Sequence, residues 1–187
     1  MFYNDWKINK FNQDGSTANI IICIDDDIYF INLGDSRSLF FNSEKIIFST
    51  QDHKPNNLIE KNRIYKSGHF IEMKYNVYRI DGGLALSRAF GDFEYKITKK
   101  DDYDGENSAV CVVPDITVIN VVKRDKPRYI IIASDGLWDV FTNKEVFEFI
   151  NMSLKKGIST KQIMTDLLKM AYLKGSQDNI SIILIFI

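Results

Sequence analysis

The sequence predicts an α+β domain in which antiparallel β-sheet is covered by α-helices, and three observations carry that prediction. Short β-branched and aromatic runs broken by turn residues fill residues 18–48. Two helices opened by capping-box patterns follow Thr142. An apolar, β-branched run, Ile180–Phe186, comes after them. Strands, then helices, then a strand is the order of an α+β layer, not of repeating βα units.

The first strand is Ala18–Ile24, turned by Asp25-Asp26-Asp27 into Ile28–Leu33. Three consecutive aspartates lack the alternating ligand spacing of a calcium loop and read as a solvated hairpin turn. Ser38–Phe41 and Lys45–Phe48 flank Asn42-Ser43-Glu44 and complete an antiparallel meander. From Gln51 to Val113 the pattern is less regular, with one short helix over Asn57–Lys66 and a polar, mobile loop expected at Tyr103–Ser108. Tyr129–Ala133 is the next strand. Thr142-Asn143-Lys144-Glu145 then opens a helix with Val146, Phe149, Ile150 and Leu154 on one face and Gly157 as its stop. Ser159-Thr160-Lys161-Gln162 opens a second, with Ile163, Leu167, Met170 and Ala171 on its buried stripe, ending before Gly175. Stripes of this width suit packing onto a sheet.

With 187 residues, 45% hydrophobic and 26% charged, the chain can bury one substantial core, so a single domain or part of one is expected. A net charge of −1, with both signs interspersed, offers no field for nucleic acid or anionic lipid, and no such partner is expected. Cys23 and Cys111 lie in apolar strand-like runs and read as buried free thiols in a reducing compartment, cytoplasmic or nuclear. Met1–Phe11 lacks a basic lead into an apolar stretch, and no window is long enough to span a bilayer, so neither secretion nor membrane anchoring is expected.

The chemistry concentrates in acidic turns at strand ends. Tyr29–Leu33 finishes at Asp35, Tyr129–Ala133 finishes at Asp135, and Ile180–Phe186 begins just after Asp178. If the last two runs are antiparallel neighbours, Asp135 and Asp178 meet at one sheet edge. Carboxylates gathered there repel unless a cation neutralises them, and oxygen-only donors suit Mg²⁺ or Mn²⁺. Asp139, four residues after Asp135, reaches the same place if that turn is helical, while Trp138 reads as a core anchor. His53 reads as a loop hydrogen-bonder, and His69 has no partner suggested by the sequence. No nucleophile-elbow serine, Cys-His signature, zinc spacing or nucleotide loop is present; the glycines of Gly82-Gly83 are wrongly spaced for a phosphate loop.

Read in order, Asp14-Gly-Ser-Thr-Ala18, Gly34-Asp-Ser-Arg37, Asp52-His-Lys-Pro55, Gly83-Leu-Ala-Leu-Ser-Arg-Ala-Phe-Gly-Asp92, Ala133-Ser-Asp-Gly-Leu-Trp-Asp139 and Gly175-Ser-Gln-Asp-Asn179 resemble the signature blocks of the protein phosphatase 2C family, eukaryotic type. The resemblance implies a sandwich of two antiparallel sheets flanked by helices, with a binuclear Mg²⁺/Mn²⁺ centre that activates water for hydrolysis of phosphoserine and phosphothreonine in proteins. It implies Asp135 and Asp178 as metal ligands, Asp35 and Asp139 as ligands of a weaker third metal, and for Arg88 either a substrate contact or a structural ion pair. The variable Glu94–Val113 stretch would set specificity. The family's Asp-Gly-His-Gly-Gly block, whose aspartate bridges the metals, and its phosphate-gripping arginine do not occur in these residues. The resemblance therefore places residues 14–187 in the C-terminal part of such a domain, after a short extension, 1–13. It leaves two alternatives to the enzyme: a non-catalytic scaffold, or a fragment whose uncovered surface could self-associate.

Overall fold

A computed structural model describes residues 14–97, 104–121 and 127–187. The expected extension, 1–13, and Tyr103 of the expected polar loop lie outside the described residues. In chain order the strands are β1 (Gly15–Ser16), β2 (Ala18–Ile24), β3 (Asp27–Leu33), β4 (Arg37–Asn42), β5 (Ile46–Ser49), β6 (Ile71–Lys74), β7 (Val77–Ile80), β8 (Phe90–Gly91), β9 (Asp115–Asn120), β10 (Arg128–Ala133) and β11 (Ile182–Phe186). The helices are α1 (Leu58–Lys66), α2 (Asp135–Trp138), α3 (Asn143–Lys155) and α4 (Thr160–Leu173), with a 3₁₀ turn at Phe93–Lys96. Among the described residues two compact units are present, each woven from separate stretches: 14–18, 31–35, 52–97 and 104–116 in the first, 19–30, 36–51, 117–121 and 127–187 in the second.

The second unit carries the sandwich that the resemblance implies. One sheet has the order β11-β10-β4-β5, antiparallel throughout. Side chains alternate across a strand, so each strand of this sheet serves two cores. Leu39, Phe41, Ile131 and Ala133 face Val146 and Ile150 of α3 and Ile163, Leu167 and Ala171 of α4. Phe40 and Ile130 point the other way and meet Ile28 and Phe30 of β3 and Val121. The Phe30 ring lies 4.9 Å from that of Phe48 and 5.7 Å from that of Phe40. Full burial of each such side chain is worth about 1.5 to 3 kcal/mol. Sheet β2-β3-β9 supplies the opposing layer, and its β2–β3 turn is the aspartate turn, with Asp25 left-handed at φ 54°.

The helices start where their caps predict. At α3 the box is reciprocal: Thr142 Oγ1 accepts from the Glu145 N–H at 3.2 Å, and Glu145 Oε2 accepts from the Thr142 N–H at 2.8 Å. The second expected box is only half made. Ser159 Oγ accepts from the Gln162 N–H at 3.3 Å, but the Gln162 amide donates one turn onward to Asp166 Oδ1 at 2.7 Å. Donating its Nε2–H to that carboxylate commits the Gln162 side chain one turn onward, so its Oε1 does not accept from the cap backbone N–H.

In the first unit α1 packs Ile64 with Ile71 and Ile80 of the β6–β7 hairpin, alongside Ala89, Ala109 and Val110. The sequence pattern predicts no strands here. The hairpin turns at Tyr75-Asn76, both left-handed at φ 50° and 64°. Tyrosine at a position that ordinarily favours Gly, Asn or Asp hides the turn from composition. His69, expected to stand alone, has its Nδ1 2.6 Å from Asp81 Oδ2, brought there by that hairpin. Lys96 is buried and donates to the Ala89 carbonyl at 2.8 Å and to that of Gly91; burial lowers its ammonium to about 8, against the attraction of Asp92. Asp104 Oδ1 accepts from the Glu106 and Asn107 N–H groups, tying the described part of the polar loop into an Asx turn. Cysteine burial is corrected in one case: Cys111 is buried, but Cys23 is exposed in β2, an edge strand of its sheet among the described residues.

Candidate metal centre

β10 and β11 pair antiparallel with Ala133 opposite Ile182, so the end of one strand and the start of the other share a sheet end. The contacts continue past the ladder. The Ser134 N–H donates to the Ser181 carbonyl at 3.1 Å, Ser134 Oγ donates to the Asn179 carbonyl at 3.1 Å, and the same Oγ accepts from the Ser181 N–H at 3.1 Å. Ser134 occupies the N-cap position of the short α2, which starts at Asp135, but spends its hydroxyl on Asn179 and Ser181 and makes no side-chain capping bond. Trp138, buried in that turn, donates Nε1–H to the Ala133 carbonyl at 3.0 Å, as its expected role of core anchor requires.

From the other side, α4 ends in a left-handed Gly175 at φ 94°, with the Ser176 N–H on the Ala171 carbonyl and the Gly175 N–H on that of Tyr172. This Schellman closure turns the chain toward α2. Ser176 Oγ then donates to the Gly136 carbonyl at 2.6 Å. A Cβ on Gly136 would lie 2.7 Å from the Asn179 carbonyl oxygen, a distance that real Cβ atoms do not adopt. Asp135 and Asp178 thus sit on two segments in van der Waals contact. Gly136→Ala is expected to push these segments apart and to destabilise by about 1 to 3 kcal/mol, read as a lowered urea midpoint.

Asp135 is half-buried, and Asp178 and Asp139 are exposed. Asp178 Oδ1 accepts from the Asn179 N–H at 2.6 Å, and the Asp139 N–H donates to the Asp135 carbonyl at 2.8 Å, one helical turn on. The donors are carboxylate oxygens, with no cysteine or histidine beside them in these segments, which fits a hard cation that retains water ligands. Among the described residues no three His, Cys, Asp or Glu side chains group closely enough to form a larger cluster.

Asp35 and Arg88 belong to the first unit. Asp35 is buried, with Lys54 Nζ 2.6 Å from its Oδ2. Arg88 donates Nη2–H to Glu60 Oε1 at 2.7 Å, Nη1–H to Asp115 Oδ1 at 2.8 Å and to the Val113 carbonyl at 3.0 Å, and Nε–H to Glu60. Of the two roles implied for Arg88, the ion pair is the one that its geometry occupies. Glu60 also receives Arg63 at 2.8 Å and the Ser87 hydroxyl at 2.7 Å. Burial alone would raise the Glu60 carboxyl, but Arg88, Arg63 and Ser87 overcome it and hold it at about 2. Arg63 is a local partner, one turn on, but Ser87 and Arg88, which complete the site of Glu60, lie 27 and 28 residues along the chain, so the sequence near Glu60 does not mark it.

His53 completes this network as a hydrogen-bonder. Its Nδ1 accepts the Gly34 N–H at 3.0 Å, so Nε2 carries the proton and donates to Asp115 Oδ2 at 3.2 Å. Burial, and then the Arg88 charge, lower its pKa. The folded protein therefore resists protonation while unfolded chains accept it, and stability falls as pH drops below about 6.5. The urea midpoint is expected to decrease between about pH 7 and about pH 5.5, and less steeply in His53→Asn.

The sequence matches the family model described as Protein phosphatase 2C over residues 2–180. It is 36% identical over 178 residues to Protein phosphatase 1B of Rattus norvegicus, covering 95% of this chain and 43% of that protein. To Protein phosphatase 1A of Bos taurus it is 36% identical, covering 93% of this chain and 44% of that protein. The chain thus spans less than half the length of these curated relatives. A crystal structure of a phosphatase from Toxoplasma gondii superposes with a TM-score of 0.72 at 30% identity, covering 84% of this chain and 47% of that one. A sex-determining protein of C. elegans shares the fold with a TM-score of 0.75 at 20% identity, covering 96% of this chain and 42% of that one. With the ordered signature blocks, the sandwich and a family match across nearly the whole sequence, this chain belongs to the protein phosphatase 2C family.

Proposed function

We propose that this chain forms the C-terminal part of a metal-dependent protein serine/threonine phosphatase domain, with Asp135 and Asp178 holding Mg²⁺ or Mn²⁺ and phosphoserine or phosphothreonine in another protein as substrate. The observation that carries this reading is the contact between the Ser134–Gly136 and Ser176–Asn179 segments, which brings two carboxylates to one end of the β10–β11 pair. When bound, the cation supplies acidification of water and neutralisation of phosphoryl charge. The chain's own part is to present the carboxylates. β10 and the α2 turn fix Asp135, and the Gly175 closure and Ser176 fix the approach of Asp178. Asp139, exposed one turn from Asp135, is offered for a weaker further cation. Asp35 would first have to release Lys54.

The test is hydrolysis of a phosphothreonine peptide. A polypeptide carrying these residues together with an Asp-Gly-His-Gly-Gly segment is expected to be active with Mn²⁺, to lose activity with a chelator and to regain it on Mn²⁺ readdition. The 187 residues alone are expected to turn over little substrate. Activity unaffected by chelation defeats the metal mechanism. A second reading, a scaffold that binds phosphorylated segments without hydrolysis, draws on the commitment of Arg88 to Glu60 and Asp115. It predicts Mn²⁺ binding with no turnover in the longer polypeptide.

A further inference from the structure

We infer that Lys174 and Ser176 are positioning residues, which stitch the segment bearing Asp178 to the turn bearing Asp135 and Asp139. This rests on the reading that Asp135 and Asp178 share a cation. Three separate fastenings join the two segments. At one end Ser134 bonds Asn179 and Ser181; in the middle Ser176 Oγ donates to Gly136. At the other end the Lys174 ammonium serves three groups at once: Glu145 Oε1 at 2.6 Å, the Val140 carbonyl at 3.3 Å and the Phe141 ring, 4.1 Å from its centroid. Val140 and Phe141 follow Asp139 directly, and Glu145 is the carboxylate of the α3 capping box. Asp178 lies between Ser176 and Asn179, so it is pinned on both sides while its own carboxylate stays exposed.

These contacts are partly exposed, and partly exposed ion pairs add little to global stability. Their yield is local: they fix the spacing of two like charges that would otherwise separate. The Lys174 bond also lowers the Glu145 carboxyl, to about 2, with the Thr142 N–H assisting, so the carboxylate of the fastening is charged near neutral pH.

The test compares Ser176→Ala and Lys174→Met, alone and combined with Asp178→Asn, by two readouts. Amide hydrogen exchange of the metal-free protein is expected to speed up about tenfold at residues 177–181 in each single variant, with the thermal midpoint unchanged. Mn²⁺ affinity, read by calorimetry, is expected to fall about tenfold in each, with no further loss in the Asp178→Asn background. Lys174→Arg is expected to restore both readouts in part. Exchange and Mn²⁺ affinity equal to those of the parent in Ser176→Ala and Lys174→Met overturn the proposal. So does an equal loss of affinity whether or not Asp178 is intact, since the effect would then not run through Asp178. Should Asp178→Asn itself leave Mn²⁺ affinity unchanged, the shared-cation reading fails, and the exchange rates alone decide whether the two residues position the segment.

Discussion

Replacing Glu60 with alanine is expected to lower the unfolding free energy by about 3 to 5 kcal/mol. Glu60 is buried in the first unit and joins Arg63, Arg88 and Ser87; its removal leaves two guanidinium groups largely out of water without their shared carboxylate. Desolvation that was repaid by pairing becomes uncompensated. Asp115, more than half exposed, remains on Arg88 but is too well hydrated to replace the lost partner. The same carboxyl sets an acid limit. Its folded pKa, about 2, lies below the ordinary carboxylate value of 4.5, so its stabilisation is complete above that value and is lost as pH falls through the interval down to about 2. Urea unfolding monitored by tryptophan fluorescence is the measurement. An alanine variant within about 1 kcal/mol of the parent would show that the network is dispensable.

Asp135→Asn is expected to weaken Mn²⁺ binding by on the order of a hundredfold or more, beyond the range typical of losing a supporting contact. Hydrolysis by the longer polypeptide should disappear with it. Asparagine keeps the size and one oxygen of the side chain while removing the charge, and it remains acceptable at the start of α2, so the thermal midpoint should move little. Calorimetric titration of Mn²⁺ together with a melting curve separates loss of a ligand from loss of fold. Unchanged affinity would remove Asp135 from the ligand set.

The β2–β3 and β4–β5 hairpins and the α3 capping box were legible because their determinants are local: β-branched runs, turn aspartates and a Thr-x-x-Glu pattern each fix their own segment. The single meander expected over residues 18–48 is corrected, because β3 pairs with β9 and β4 with β10, which puts the two hairpins in different sheets. The placement of the Asp135 and Asp178 segments at one end of the β10–β11 pair followed from one antiparallel pairing, the shortest inference available from strand ends. Glu60 was not legible in this way. In α1 the usual pattern is inverted, with the carboxylate turned inward and Leu58 and Ile59 turned out to solvent, because Arg88 lies 28 residues away and only folding brings it close. The β6–β7 hairpin was hidden by a tyrosine in a left-handed turn position, and the pairing of His69 with Asp81 was hidden with it. Cys23 misled for a related reason: an apolar run says that a strand forms, but its place at a sheet edge decides which side chains reach solvent.

The pairing of β10 with β11 also imposes a timetable on the nascent polypeptide. Asp135 emerges from the ribosome well ahead of its counterpart, and two helices must be synthesised before the strand that brings Asp178 alongside can dock. Until then the growing chain presents one carboxylate of the pair, and under the proposed shared-cation reading any avid capture of a divalent ion waits on the arrival of β11.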